Sequence, residues 1–182
     1  LRVAGLDPSG AIQSDQCIAG GKEESVFQPR WSSDGSLYFI SDRTGWWNLD
    51  LWDGDTVEPV FEGEAELGRA QWVFGMSTYD LLDDSRVVAS LNDRGVWRLC
   101  LLERGSISET RIQVPDTEIH AVHAIPDGFV YCGASPREAE AVIGYRLEEQ
   151  RRYVIRKSVR LSLDSDEVAF PRHITFPTQG ED

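Results

Sequence analysis

Apolar residues recur along this chain at fixed distances from turn-forming Asp-Gly pairs and their equivalents. Counting from Asp34, Leu37 lies three residues on and Phe39 five, with Trp47, Leu49 and Leu51 at thirteen, fifteen and seventeen. From Asp84 the same offsets fall on Val87, Ala89, Trp97, Leu99 and Leu101. From Asp127 they fall on Val130, Cys132, Glu140, Val142 and Gly144, so the third copy keeps its first half and Val142 and is degenerate or shifted in the rest. The turns stand 50 and 43 residues apart. The longer interval holds an extra stretch, Val73-Phe74-Gly75-Met76-Ser77-Thr78-Tyr79, between Trp72 and the next turn. Periods of about 40–50 residues carrying several short strands mark propeller blades.

Each unit reads as four strands. Gln28-Pro29-Arg30-Trp31 forms a short first strand, and Ser33-Asp34-Gly35-Ser36 supplies a tight turn. Leu37–Ser41 is a β-rich run suited to burial on both faces, Asp42–Gly45 turns again, and Trp47–Leu51 alternates apolar with polar as a half-buried strand does. After a third turn at Asp53-Gly54-Asp55, an outer strand lies around Val57–Val60. The fold class is therefore all-β: a partial β-propeller of about three and a half four-stranded antiparallel blades, near residues 1–22, 25–62, 68–114 and 121–156. Leu1–Val3 matches Leu49–Leu51, so the chain enters mid-blade, with Cys17-Ile18-Ala19 as that blade's outer strand. Such an open arc leaves two sheet faces bare, which predicts marginal stability or self-association. One segment carries conflicting signals. Ser135-Pro136-Arg137-Glu138 followed by Ala139–Ile143 has the local look of a capped helix, whereas the repeat phase predicts a loop and a strand over Val142–Leu147, and the phase is preferred.

Composition narrows the function classes. A formal charge of −13 over 182 residues argues against a nucleic-acid backbone or an anionic membrane as partner. No apolar run approaches the ~18 residues of a membrane span. Cys17, Cys100 and Cys132 are odd in number and far apart, which suits buried thiols in a reducing compartment; a cytoplasmic location is expected, and no cofactor or metal. His120 and His123 would point to opposite faces of a strand and lack a third ligand. Arg146, Arg151, Arg152, Arg156, Lys157 and Arg160 form a basic cluster without aromatic interleaving, as expected of a solvated or salt-bridged outer strand. The opening Leu1-Arg2-Val3 lacks an initiator Met and a signal segment, so the chain reads as an internal piece of a longer protein.

The stretch from Gln28 to Leu49, with Trp31-Ser32-Ser33-Asp34-Gly35, Ser41-Asp42-Arg43 and Gly45-Trp46-Trp47-Asn48-Leu49, resembles the propeller of the prolyl oligopeptidase family of serine peptidases. The nearest branch is that of bacterial dipeptidyl aminopeptidase/acylaminoacyl-peptidase-like enzymes, and Glu64–Gly75 is a second stretch similar to it. Pro171–Gly180 resembles the crossing into the family's α/β-hydrolase domain, so 1–170 reads as the propeller portion and 171–182 as the crossing. In that family the Ser-Asp-His triad lies in the hydrolase domain. The present sequence has no Gly-x-Ser-x-Gly elbow; Gly75-Met76-Ser77-Thr78-Tyr79 comes nearest. No catalytic residue is therefore expected here, and the chain alone should not hydrolyse peptides. The resemblance implies a parent peptidase whose propeller gates access, with a peptide and the hydrolase domain as partners. The alternative is a TolB-like propeller acting as a protein-binding module, because the Trp-Ser-x-Asp-Gly…Ser-Asp-Arg core is shared with that group.

Connectors between an outer strand and the next inner strand emerge on one propeller rim. Glu24, Glu66 and Glu118 occupy comparable phases there, joined by Glu23, Glu62, Glu64 and Asp116. A negative rim would attract a peptide's terminal ammonium group, and at this net charge a merely solvated acidic rim is the competing reading. Glu24, Glu64 and Glu66, with Trp46, Trp72 and Phe74, are the candidates for substrate binding or gating. The insertion Val73–Tyr79 is the one large departure from the repeat and the best candidate for contact with substrate or with the hydrolase domain. Trp31, Asp34, Gly35, Asp42, Arg43, Trp47 and Trp97 read as structural repeat positions, with Arg43 and Arg94 expected to stack on the neighbouring Trp and bond turn carbonyls.

Overall fold

The computed structural model describes residues 1–159, 168–172, 174 and 176. Its strands fall into four antiparallel sheets, with no helix among the described residues. A two-stranded sheet pairs β1 (Arg2–Leu6) with β2 (Ile12–Cys17). The next is a meander of β3 (Val26–Trp31), β4 (Leu37–Ser41), β5 (Asn48–Trp52) and β6 (Val57–Phe61). The third runs through β7 (Tyr79–Leu81), β8 (Arg86–Asp93), β9 (Val96–Glu103) and β10 (Ser106–Ile112). The fourth holds β11 (Glu118–Ile125), β12 (Gly128–Ser135), β13 (Glu138–Arg146) and β14 (Arg151–Lys157). The expected all-β propeller class is what forms.

The core lies between sheets rather than inside any one of them. Side chains alternate along a strand, so each central strand feeds two interfaces. Leu37 and Phe39 pack toward the β1–β2 hairpin, while Tyr38 and Ile40 pack toward the β7–β10 sheet. In β9, Cys100 and Leu102 face the β3–β6 sheet, while Trp97 and Leu99 face the β11–β14 sheet. Burial of this kind contributes roughly 1.5–3 kcal/mol per large side chain, so a blade's stability depends on its neighbours.

This stacking overrides the half-buried reading of β5, all five residues of which are buried. Its polar positions are satisfied internally: Asn48 donates to the Gly63 and Ala65 carbonyls and accepts from the Gly63 amide, and Asp50 meets Arg43 at 3.3 Å. The helix-like segment instead forms a hairpin that turns at Pro136-Arg137, with β13 extended from Glu138 because it pairs with β12 and, from Ala141, with β14. The third repeat also differs from its sequence reading. Phe129 pairs with Tyr145 as Leu37 pairs with Trp52 and Val87 with Leu102. Phe129, not Val130, therefore takes the first apolar position; the early half is displaced by one residue and the later half is in phase. Gly144 stands where Leu51 and Leu101 do because the Tyr153 ring lies over it; a Cβ there would come within 2.2 Å of that ring. In the first sheet the outer strand is Ile12–Cys17, and Ala19 instead accepts the Leu1 ammonium at 2.7 Å.

Candidate functional site

Strand direction alternates within each sheet, so the connectors 18–25, 62–78 and 113–117 share one rim with the β4–β5, β8–β9 and β12–β13 turns. Contacts across this rim stitch the blades together. Leu67 donates to the Trp47 carbonyl at 2.8 Å, and Glu66 bridges Asn92 through both backbone groups. Gly68 lies so close over Trp47 that a Cβ would stand 2.6 Å from its ring. Trp47 meets Phe27 edge to face at 5.0 Å, and Trp97 is buried beneath Arg69, whose guanidinium sits 3.8 Å over the ring. Trp31, on the opposite rim, is exposed and meets Trp52 at 6.2 Å.

The turn residues have specific work. Asp34 accepts from the Ser32 hydroxyl and the Ser36 amide, which with Arg104 of the next blade hold its carboxyl down at about 2. Gly35 sits at φ +89°, where a side chain would strain the turn. Asp42 accepts from the Ser25 amide at 2.7 Å. Arg43 does not stack on Trp: it ion-pairs with Glu24 at 2.8 Å, with its guanidinium 5.7 Å from the Phe39 ring. Arg94 likewise has no Trp under it; it is largely exposed, 3.9 Å from Asp93, and the stacking role falls to Arg69.

The rim carboxylates divide into engaged and open groups. Burial pushes the Glu24 carboxyl up, but bonds from Ser41 and Gly20 and the Arg43 charge outweigh it and leave it below the usual range. Glu66 accepts the Trp47 amide at 2.8 Å, and Glu118 pairs with Arg69 at 2.6 Å. Asp116 is a correction: it is buried, held by Arg152 and Tyr131, and takes no part in an open acidic rim. Glu23, Glu62 and Glu64 stand exposed, and Trp46 is partly so.

The insertion projects from this rim. Trp72 and Phe74 are almost wholly exposed, whereas Ser77 and Thr78 are buried and tied to the Val122 and Gln28 side of the inner strands. The inner strand of the third sheet therefore begins at Tyr79, with Trp72 in the connector before it. Arg69, Val73, Phe74, Met76, His120 and Glu140 help line a cavity of about 430 Å³ at the insertion's base. His120 contacts Glu140 at 2.9 Å, and among the described residues no three metal-ligating side chains converge.

Spacing held a further signal that sequence reading passed over. Arg30, Asp80 and His123 each lie four residues before the repeat's Asp and meet in sequence on successive inner strands, at 3.1 and 3.7 Å. Arg69 and the Asp116–Arg152 pair carry no such offset and emerge only from folding.

Asp50 lies beneath the rim, and burial raises its carboxyl from 3.8 to about 6 despite Arg43 nearby. A group with a raised folded value stabilises fully below the unfolded value, and that contribution is lost as pH climbs through 6. A shift of this size corresponds to about 3 kcal/mol. Relative to the parent chain, Asp50→Asn should gain about that much stability between pH 3 and pH 8 in urea denaturation; a constant difference across that range would contradict the assignment.

The stacked four-stranded sheets form part of a β-propeller and match the propeller domain of prolyl oligopeptidase-like structures. The solved structures the chain is similar to include a Mycobacterium tuberculosis puromycin-hydrolyzing peptidase, at 25% identity and TM-score 0.84, covering 94% of this chain and 26% of that one. A puromycin hydrolase matches at 27% identity and TM-score 0.77, over 87% of this chain and 25% of that chain. A prolyl endopeptidase structure at 14% identity and TM-score 0.57 shares the fold, over 90% of this chain and 23% of that chain. The present chain thus spans about a quarter of the length of the puromycin-hydrolysing structures it matches. No protein-family profile and no curated protein sequence matches it.

Proposed function

We propose that this chain is the non-catalytic propeller portion of a serine-type peptidase and that its connector rim gates peptide access to a hydrolase domain. The observation that carries the reading is the likeness to puromycin-hydrolysing peptidases over nine-tenths of the chain. The 62–78 connector supports it, placing Trp72 and Phe74 in solvent beside a cavity on the rim from which the blades' connectors emerge. Trp72, Val73 and Phe74 are exposed as one contiguous apolar run, and contiguous patches rather than single residues mark contact surfaces. The open carboxylates Glu62 and Glu64, on the same connector, are the groups that would draw in a peptide's ammonium end, since Glu24 and Glu66 are already held by this chain's own donors. Trp46 would add to the apolar wall.

The test uses the full-length protein carrying this chain. Trp72→Ala with Phe74→Ala should change kcat/KM for long peptides relative to dipeptide-sized substrates by roughly threefold or more, because a gate acts on length. An equal change for both lengths would overturn gating. A full-length protein without any peptide hydrolysis would overturn the peptidase reading and leave the binding-module alternative.

A further inference from the structure

The connector rim carries a second, larger cavity, of about 680 Å³, away from the insertion. Its walls come from three places: the β8–β9 turn with Arg94 and Val96, the β12–β13 turn with Arg137, and the described residues Phe170 and Arg172; Pro115 closes one side. In a chain of charge −13, this cavity is lined by three arginines and a single carboxylate. Arg137 lies 4.6 Å over the Phe170 ring, so a cation is already seated on an aromatic wall. The cavity's own carboxylate, Glu138, is directed to Arg152 at 3.0 Å, and Arg94 stands 3.9 Å from Asp93 in the left-handed conformation, φ 51°. The volume falls within the range of small-ligand sites, and apolar walls with a few convergent charges are their usual make-up.

We propose that this cavity binds a carboxylate-bearing peptide, with Arg94 and Arg137 holding the carboxylate and Phe170, Val96 and Pro115 receiving an adjacent apolar side chain. Guanidinium groups suit this task because their planar donors match both carboxylate oxygens. Ammonium attraction by Glu62 and Glu64 concerns the opposite end of a peptide, so this site does not depend on the peptidase reading.

The experiment is calorimetric titration of the full-length protein carrying this chain with an acetylated glycine-phenylalanine-glutamate tripeptide bearing a free C-terminus. The control is its uncharged analogue with glutamine and a C-terminal amide. The charged peptide should bind at least about tenfold more tightly than the control, and the difference should shrink as salt is raised. Arg94→Gln and Arg137→Gln should each weaken the charged peptide by about fivefold or more while leaving the control's weak binding in place. These arginines sit on exposed turns, and Phe170→Ala should weaken both peptides together. Equal binding of the two peptides, binding that resists both arginine substitutions, or no binding of the charged peptide at millimolar concentration would each overturn the site. Because the readout is binding and its dependence on Arg94 and Arg137, not turnover, failure of the gating test would leave the result standing.

Discussion

Phe129→Ala is expected to cost the chain about 3–5 kcal/mol, the range for removing a buried aromatic ring from a packed core. Phe129 is fully buried between the third and fourth sheets, stacked on Tyr145 at 5.1 Å and beside Tyr131 at 6.0 Å. Folded domains are stable by about 5–15 kcal/mol, so one such loss is a large fraction of the whole. In a stacked array each unit contacts only its neighbours, and the β11–β14 sheet leans on the β7–β10 sheet through this core. Amide exchange should therefore accelerate first in β11–β14, with β4, β5, β8 and β9 retaining protection. Val142→Ala tests the opposite face of the same sheet, where the side chain is 39% exposed, and should cost under about 1 kcal/mol. Urea denaturation that finds equal costs at the two positions would refute packing between blades as the source of stability.

Arg152→Met should be nearly as damaging, at about 3–5 kcal/mol, for a different reason. The guanidinium donates to both Asp116 oxygens at 2.9 Å, and Tyr131 donates its hydroxyl to the same carboxylate at 2.7 Å. Asp116 is enclosed completely, so removing the arginine strands a charge out of water. Burial and the Asp116 bond hold the Tyr131 hydroxyl far above its ordinary value, and it remains a donor throughout the accessible pH range. Adding Asp116→Asn to Arg152→Met removes the stranded charge and keeps an acceptor for Tyr131, so the double variant should recover about 1–3 kcal/mol relative to the sum of the singles. Simple additivity in the double-mutant cycle would show that the two side chains do not act as a unit. The pair joins β14 to the connector carrying Pro115 and Thr117, so the larger rim cavity should lose its shape with it.

Much of the fold was legible because its determinants are local. Asp34-Gly35 forms a turn through its own hydroxyl and amide neighbours, and Leu37–Ser41 is extended in any context that supplies partners. The third repeat was harder: the turn before Phe129 is one residue shorter relative to its Asp, so a fixed offset landed on Val130. The reading of Pro171–Gly180 as a crossing lies mostly outside the described residues, as does Arg160 in the basic cluster.

Of the rim, the positions of Glu24, Glu66 and Glu118 could be read from the connector phase, but neither the burial of Asp116 nor the partners of the others could. Glu24, Glu66 and Glu118 are acidic in sequence and are matched by Arg43, the Trp47 amide and Arg69 in space, across separations of 19 and 49 residues. Turn chemistry, strand content and the four-strand period are properties of neighbouring residues, so the chain's composition in order was enough for them. Which carboxylates remain free, which arginines converge on a cavity, and which strand faces are dry depend on how one sheet settles against the next. That settling is set by side-chain volume and alternation across distant segments, and only the stacked blades bring those together.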